Sequence, residues 1–84
     1  MAETHFNLGN IALKEDNYQE ALREFAESSK LDQDMAKAHL ALAKVYRRLG
    51  KTEEAAKETE ILNRLMAKEV QESEANAGIS THHQ

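Results

Sequence analysis

The side chains that could do chemistry are four histidines, scattered hydroxyls and one row of cations. A hydroxyl nucleophile needs a base within hydrogen-bond reach and an acid to orient that base. No serine or threonine stands at a spacing that brings both a histidine and a carboxylate to it. His5 and His39 could meet on neighbouring helices, but two ligands fall short of the set that holds zinc. They read instead as structural histidines at a packing face. His82 and His83 are adjacent in a stretch without periodicity, which makes a poor chelate. Cysteine is absent, so there is no thiolate, no disulfide and no cysteine-based zinc site. No glycine-rich phosphate loop occurs. The expectation is a chain with no enzymatic activity, no cofactor and no metal.

The row of cations is different. Lys37, Lys44, Arg47 and Arg48, with Leu40 among them, recur three and four apart and so share one helix face. A basic stripe with an apolar residue inside it suits an acidic, partly apolar peptide. The same residues could equally be solvated charge. Nucleic acid is a weaker match, because the chain carries a net charge of −4 and the stripe holds no aromatic side chain.

The elements that must carry these residues are helices. From His5 to Leu31 two amphipathic patterns flank the turn-forming trio Glu15, Asp16 and Asn17. Leu8, Gly9 and Ala12 share a face of the first, and Tyr18, Ala21, Leu22, Phe25 and Ser28 share a face of the second. So short a turn makes the helices antiparallel neighbours. Gly9 sits mid-helix, where glycine costs about 1 kcal/mol relative to alanine, so a close approach of the partner helix near Ala21 and Phe25 is expected. The helices are expected over about 3–15, 18–30 and 35–49, and from Thr52 to about Ser73. Asp16 and Asn17 should cap the second, Asp32 to Asp34 the third and Thr52 the fourth, with Gly50 closing the third.

The hairpin recurs with a period of 34: Ala2 falls on Ala36, His5 on His39, Leu8 on Leu42, Ala21 on Ala55, Glu24 on Glu58 and Leu31 on Leu65. Two helices repeated at that interval mark a helical solenoid. At Leu8, Gly9, Ala21 and Phe25, and again at Leu42, Ala43, Tyr46 and Ala55, the chain resembles the tetratricopeptide repeat family. It departs at His5 and His39, where the family favours tryptophan, at Thr59, where an aromatic is usual, and in having no proline.

The resemblance implies an all-α fold, two antiparallel helix-turn-helix hairpins stacked as a short right-handed superhelix with the last helix extended. The hairpins would occupy 2–34 and 35–67, the extension 68–76 and a disordered tail 77–84. It also implies a non-catalytic module that binds a protein or peptide along the first helix of each hairpin. The lining would then be Phe6, Asn10, Leu13 and Lys14 from one repeat, and Lys37, Leu40, Lys44, Arg47 and Arg48 from the other. Some members grip a terminal carboxylate with a lysine and two asparagines. Asn10 matches one asparagine, while Phe6 and Ala41 replace the other two groups.

Size and charge bound the rest. Eighty-four residues make one small domain with four aromatic side chains. No apolar run is long enough to span a membrane, and MAETHFNLGN lacks the charged and apolar segments of a secretory signal. The compartment stays open, with a soluble cytoplasmic chain as the default. The first helix begins almost at Met1 without a lead-in, which suggests that the parent chain continues upstream. Residues 1–34 hold 3 basic and 8 acidic side chains, and residues 35–68 hold 8 and 4. Attraction within one chain explains that split, and so does association between copies. Two repeats are fewer than stability usually needs, so Leu62, Leu65, Met66 and Val70 are expected to form a self-association surface, giving a homodimer or a swapped dimer.

Overall fold

A computed structural model describes the backbone of residues 1–81 and the side chains of residues 1–68; those residues form four helices and no strand. They are α1 (Ala2–Lys14), α2 (Tyr18–Leu31), α3 (Ala36–Arg48) and α4 (Thr52–Thr81). α1 packs on α2, α3 packs on α4, and α2 against α3 joins the two hairpins.

The two hairpin turns are copies of each other. Asp16 and Gly50 occupy equivalent places and both have positive φ, 59° and 77°. Asn17 N–H bonds the Ala12 carbonyl and Lys51 N–H bonds the Tyr46 carbonyl, each at 2.8 Å. The last carbonyls of α1 and α3 are thereby satisfied by a left-handed exit. Glycine adopts that conformation freely, and aspartate is among the few other residues that tolerate it.

Helix starts follow expectation only in part. Asn17 caps α2, its Oδ1 accepting from Glu20 N–H at 3.4 Å. Met35 precedes α3 with no side-chain cap. Asp32 Oδ1 instead accepts from Asp34 N–H at 3.2 Å, spending the carboxylate on the connecting turn. Thr52 lies inside α4, not before it, with Glu53 and Glu54 in the first turn favouring the helix dipole. α4 continues to Thr81, past the extension expected over 68–76, and takes in residues 77–81 of the tail expected to be disordered. The residue there with the lowest helix propensity is Gly78, and a lone glycine costs only about 1 kcal/mol. Residues 82–84, with His82 and His83, lie outside the described residues.

The core is built from Ala12, Ala21, Phe25, Ala41, Leu42 and Val45, with Phe6, Leu13, Leu22 and Tyr46 packed on it. Gly9 lies directly under the Phe25 ring, where a Cβ would stand 2.6 Å from Cε1 and 2.7 Å from Cδ1. Phe25 is fully buried, so the ring cannot step aside. The second repeat carries Ala43 and the smaller Thr59 at the equivalent positions. Gly9→Ala gains about 1 kcal/mol of helix propensity but overpacks the ring, which costs about 1–3 kcal/mol. A net loss of about 1 kcal/mol is expected by urea titration. In a Phe25→Thr background, which copies the second repeat, the same change should become stabilising.

One face was misread. Leu8 was expected to pack beside Gly9 and Ala12, yet it is 43% exposed, and Ile11 is 54% exposed. Their counterparts Leu42 and Val45 are 2% and 0% exposed. The difference has a physical cause: α2 covers that face of α3, and among the described residues nothing covers it on α1.

Candidate functional site

The basic stripe on α3 is divided among three neighbours. Lys37 Nζ lies 2.7 Å from Glu3 Oε2 of α1 and 4.7 Å above the Phe6 ring. Both partners of that ion pair are at least half exposed, so it contributes at most about 1 kcal/mol. Arg48 at the other end donates to Tyr18 Oη at 2.9 Å and stacks over that ring at 5.8 Å. This contact ties the end of α3 to the start of α2. Arg47 turns towards α4, into a hollow of about 370 Å³ that Ala56, Thr59 and Asn63 also line.

Leu40 and Lys44, one turn apart, remain on the open face. Leu40 is 40% exposed, and Lys44 is exposed and in no ion pair among the described residues. From the first repeat, Phe6 and Leu13 are half-buried against the core. The Phe6 ring meets Phe25 at 5.5 Å. Asn10 is half-buried and Lys14 exposed, and neither bonds to the stripe. The structure therefore gathers Phe6 and Lys37, and leaves Leu40 and Lys44 as the accessible pair. Glu3 was missed by sequence reasoning, although its place in the period, 34 residues before Lys37, carried the signal.

The histidines do not meet. His5 Nδ1 lies 2.8 Å from Glu24 Oε1, and His39 Nδ1 lies 2.7 Å from Glu58 Oε1. Each pair stays within its own hairpin. His39 is 6% exposed, and its Nε2 also faces the Gln33 carbonyl at 2.9 Å. A carbonyl only accepts, so Nε2 carries a proton. The recurrence of both histidine and glutamate at one offset was the legible sign of this pairing. Among the described residues no three histidine, aspartate or glutamate side chains converge as metal ligands would. Burial, with Glu58 and Glu54 nearby, pushes the Tyr46 phenol above its ordinary value.

A cleft of about 700 Å³ lies between α4 and the α2–α3 connection and contains none of the stripe. His39, Glu58, Ile61 and Leu65 line it. Of the expected self-association surface, Leu62 and Leu65 are half-buried and Met66 is 52% exposed. Val70, like every side chain beyond Lys68, lies outside the described residues. No helix among those described is long and apolar enough to cross a membrane.

No curated protein matches the chain. A family model described as tetratricopeptide repeat matches residues 12–79, from the end of α1 through α2 and α3 and almost to the end of α4. That span exceeds half of the 84 residues and fits two stacked helical hairpins. Such repeats generally serve as non-catalytic scaffolds that bind protein partners. By that match, and by the period its helices obey, the chain belongs to the tetratricopeptide repeat family.

Proposed function

We propose that this chain is a protein-interaction module whose α3 face recruits an acidic, partly apolar segment of a partner. One observation carries the reading: Leu40 and Lys44 stand exposed one turn apart, with no carboxylate of the described residues paired to the lysine. Arg48 and Lys37 flank them and keep positive charge at both ends of the face, although each already has a neighbour within the chain. An apolar side chain of the partner would rest on Leu40 and the rim of Phe6, while its carboxylates meet Lys44 and Arg47. Lys14 and Asn10 extend the polar edge towards α1, and Leu13 supports it from below.

The test is fluorescence anisotropy with a labelled peptide in which aspartate and glutamate alternate with leucine. Binding is expected to weaken steeply with added salt, because exposed charges are screened within about 10 Å at ordinary ionic strength. Lys44→Glu should weaken it about fivefold to tenfold, and adding Arg47→Glu should weaken it further. Equal affinity for the wild type and the double variant would remove this reading.

A further inference from the structure

We propose that a second copy of this chain docks head to tail, its α1 lying in the hollow between α3 and α4. The hollow shares Arg47 with the peptide reading but not Leu40 or Lys44, so the two readings can fail separately. It follows from applying the internal repeat once more. Arg47, Ala55, Ala56, Thr59 and Glu60 line the hollow. Thirty-four residues earlier stand Leu13, Ala21, Leu22, Phe25 and Ala26, which belong to the core or pack on it around α3. The hollow is thus the second hairpin's version of the seat that α3 fills on the first.

The helix that would enter it is equally visible. The face of α3 in the filled seat is made by Ala38, Ala41, Leu42 and Val45, all buried. Its equivalent on α1 is Thr4, Asn7, Leu8 and Ile11, all exposed. Both halves of a joint are therefore present on one chain, and among the described residues nothing covers either. Their chemistry corresponds. α2 and α3 run antiparallel, so the joint would set Asn63 and Glu60 near Thr4 and Asn7 of the second copy. Ala56 and Thr59 would then lie against its Leu8 and Ile11.

Charge supports the same occupant. Within the chain Glu3 pairs with Lys37 across the two hairpins. Advancing one repeat puts Lys37 where Glu3 was, and Glu3 of the second copy where Lys37 was. The pair is kept with its signs exchanged, which a random neighbour would not guarantee. On the larger scale the basic second repeat meets the acidic first repeat, 8 basic and 4 acidic side chains against 3 and 8. The seat has become more polar, Phe25 being replaced by Thr59 and Leu22 by Ala56, so the joint should be weak. A head-to-tail contact of this kind does not close on itself and continues into longer assemblies.

Sedimentation velocity on the 84-residue chain, from micromolar to millimolar, reads the outcome. The average mass should climb with concentration from 9.5 kDa past twice that value. Ile11→Asp blocks the α1 face and Ala56→Trp blocks the hollow, and each alone should lower the association constant at least about tenfold. Circular dichroism verifies folding, and Leu8→Asp replaces Ile11→Asp if that variant unfolds. The decisive arm mixes the two blocked variants. Each keeps the half that the other lacks, so the mixture should form a one-to-one dimer and stop there. A monomer at every concentration overturns the proposal. So does association that survives Ile11→Asp, or a mixture that forms no dimer although the wild type assembles.

Discussion

Truncating Phe25 to alanine is expected to remove about 3–5 kcal/mol of stability, the range for deleting a fully buried aromatic ring. Few chains of this length hold much more than that in total, so the variant should be largely unfolded at room temperature. Phe25 is the largest fully buried side chain among those described. It closes the space over Gly9, meets the Phe6 ring at 5.5 Å and lies in the cluster that joins the two hairpins. Its removal therefore damages the α1–α2 contact and the α2–α3 contact together. Phe6 is half-buried and tilted 51° from Phe25, so it could swing partly into the cavity, which sets the lower end of the range. Urea unfolding followed by helix ellipticity measures the loss. Leu8→Ala is the internal control: Leu8 is 43% exposed and should cost under about 1 kcal/mol, although its counterpart Leu42 is buried. A loss below about 1 kcal/mol for Phe25→Ala would put the ring outside the core and the hairpin register in error.

That contrast shows where sequence reasoning works on this chain and where it stops. The helices, their turns and the Gly9–Phe25 contact were legible because local signals agreed: a 3.6-residue apolar period, polar turn residues and a glycine opposite an aromatic. Leu8 was not, because its pattern is that of a packing residue whether or not anything packs there. Burial at the first helix of a stack depends on what lies beyond it, and no residue inside the helix encodes that. The cations of α3 raised the opposite difficulty. Their shared face followed from spacing alone, but which of them stay accessible depends on Glu3 and Tyr18. Those two residues come from other helices, and only the assembled hairpins bring them to Lys37 and Arg48.

The second large effect concerns the histidines, and the repeat supplies its own comparison. Glu58→Ala strips His39 Nδ1 of its partner at a site where the imidazole is 6% exposed and Nε2 is already committed to Gln33. A buried polar group left without a partner costs about 1–3 kcal/mol. Glu24→Ala does the same to His5, but that side chain is 33% exposed and water can replace the carboxylate. Its cost should be about 0.5–1 kcal/mol. The two deletions remove the same contact, at 2.7 Å and 2.8 Å, and differ in burial and in the Gln33 carbonyl that holds His39 Nε2. Urea titration of both variants separates two accounts of these pairs. If pairing itself stabilises, the losses will be equal. If the pair exists to satisfy a histidine the fold has buried, the second repeat will lose more. The second account also requires that replacing both partners, His39→Leu with Glu58→Leu, recover most of the stability that Glu58→Ala loses, because the buried pair is then gone and the Gln33 carbonyl that Nε2 served belongs to an exposed residue that water can reach. Equal losses in the two repeats, with no recovery in the double variant, would assign the stabilisation to the ion pairs themselves.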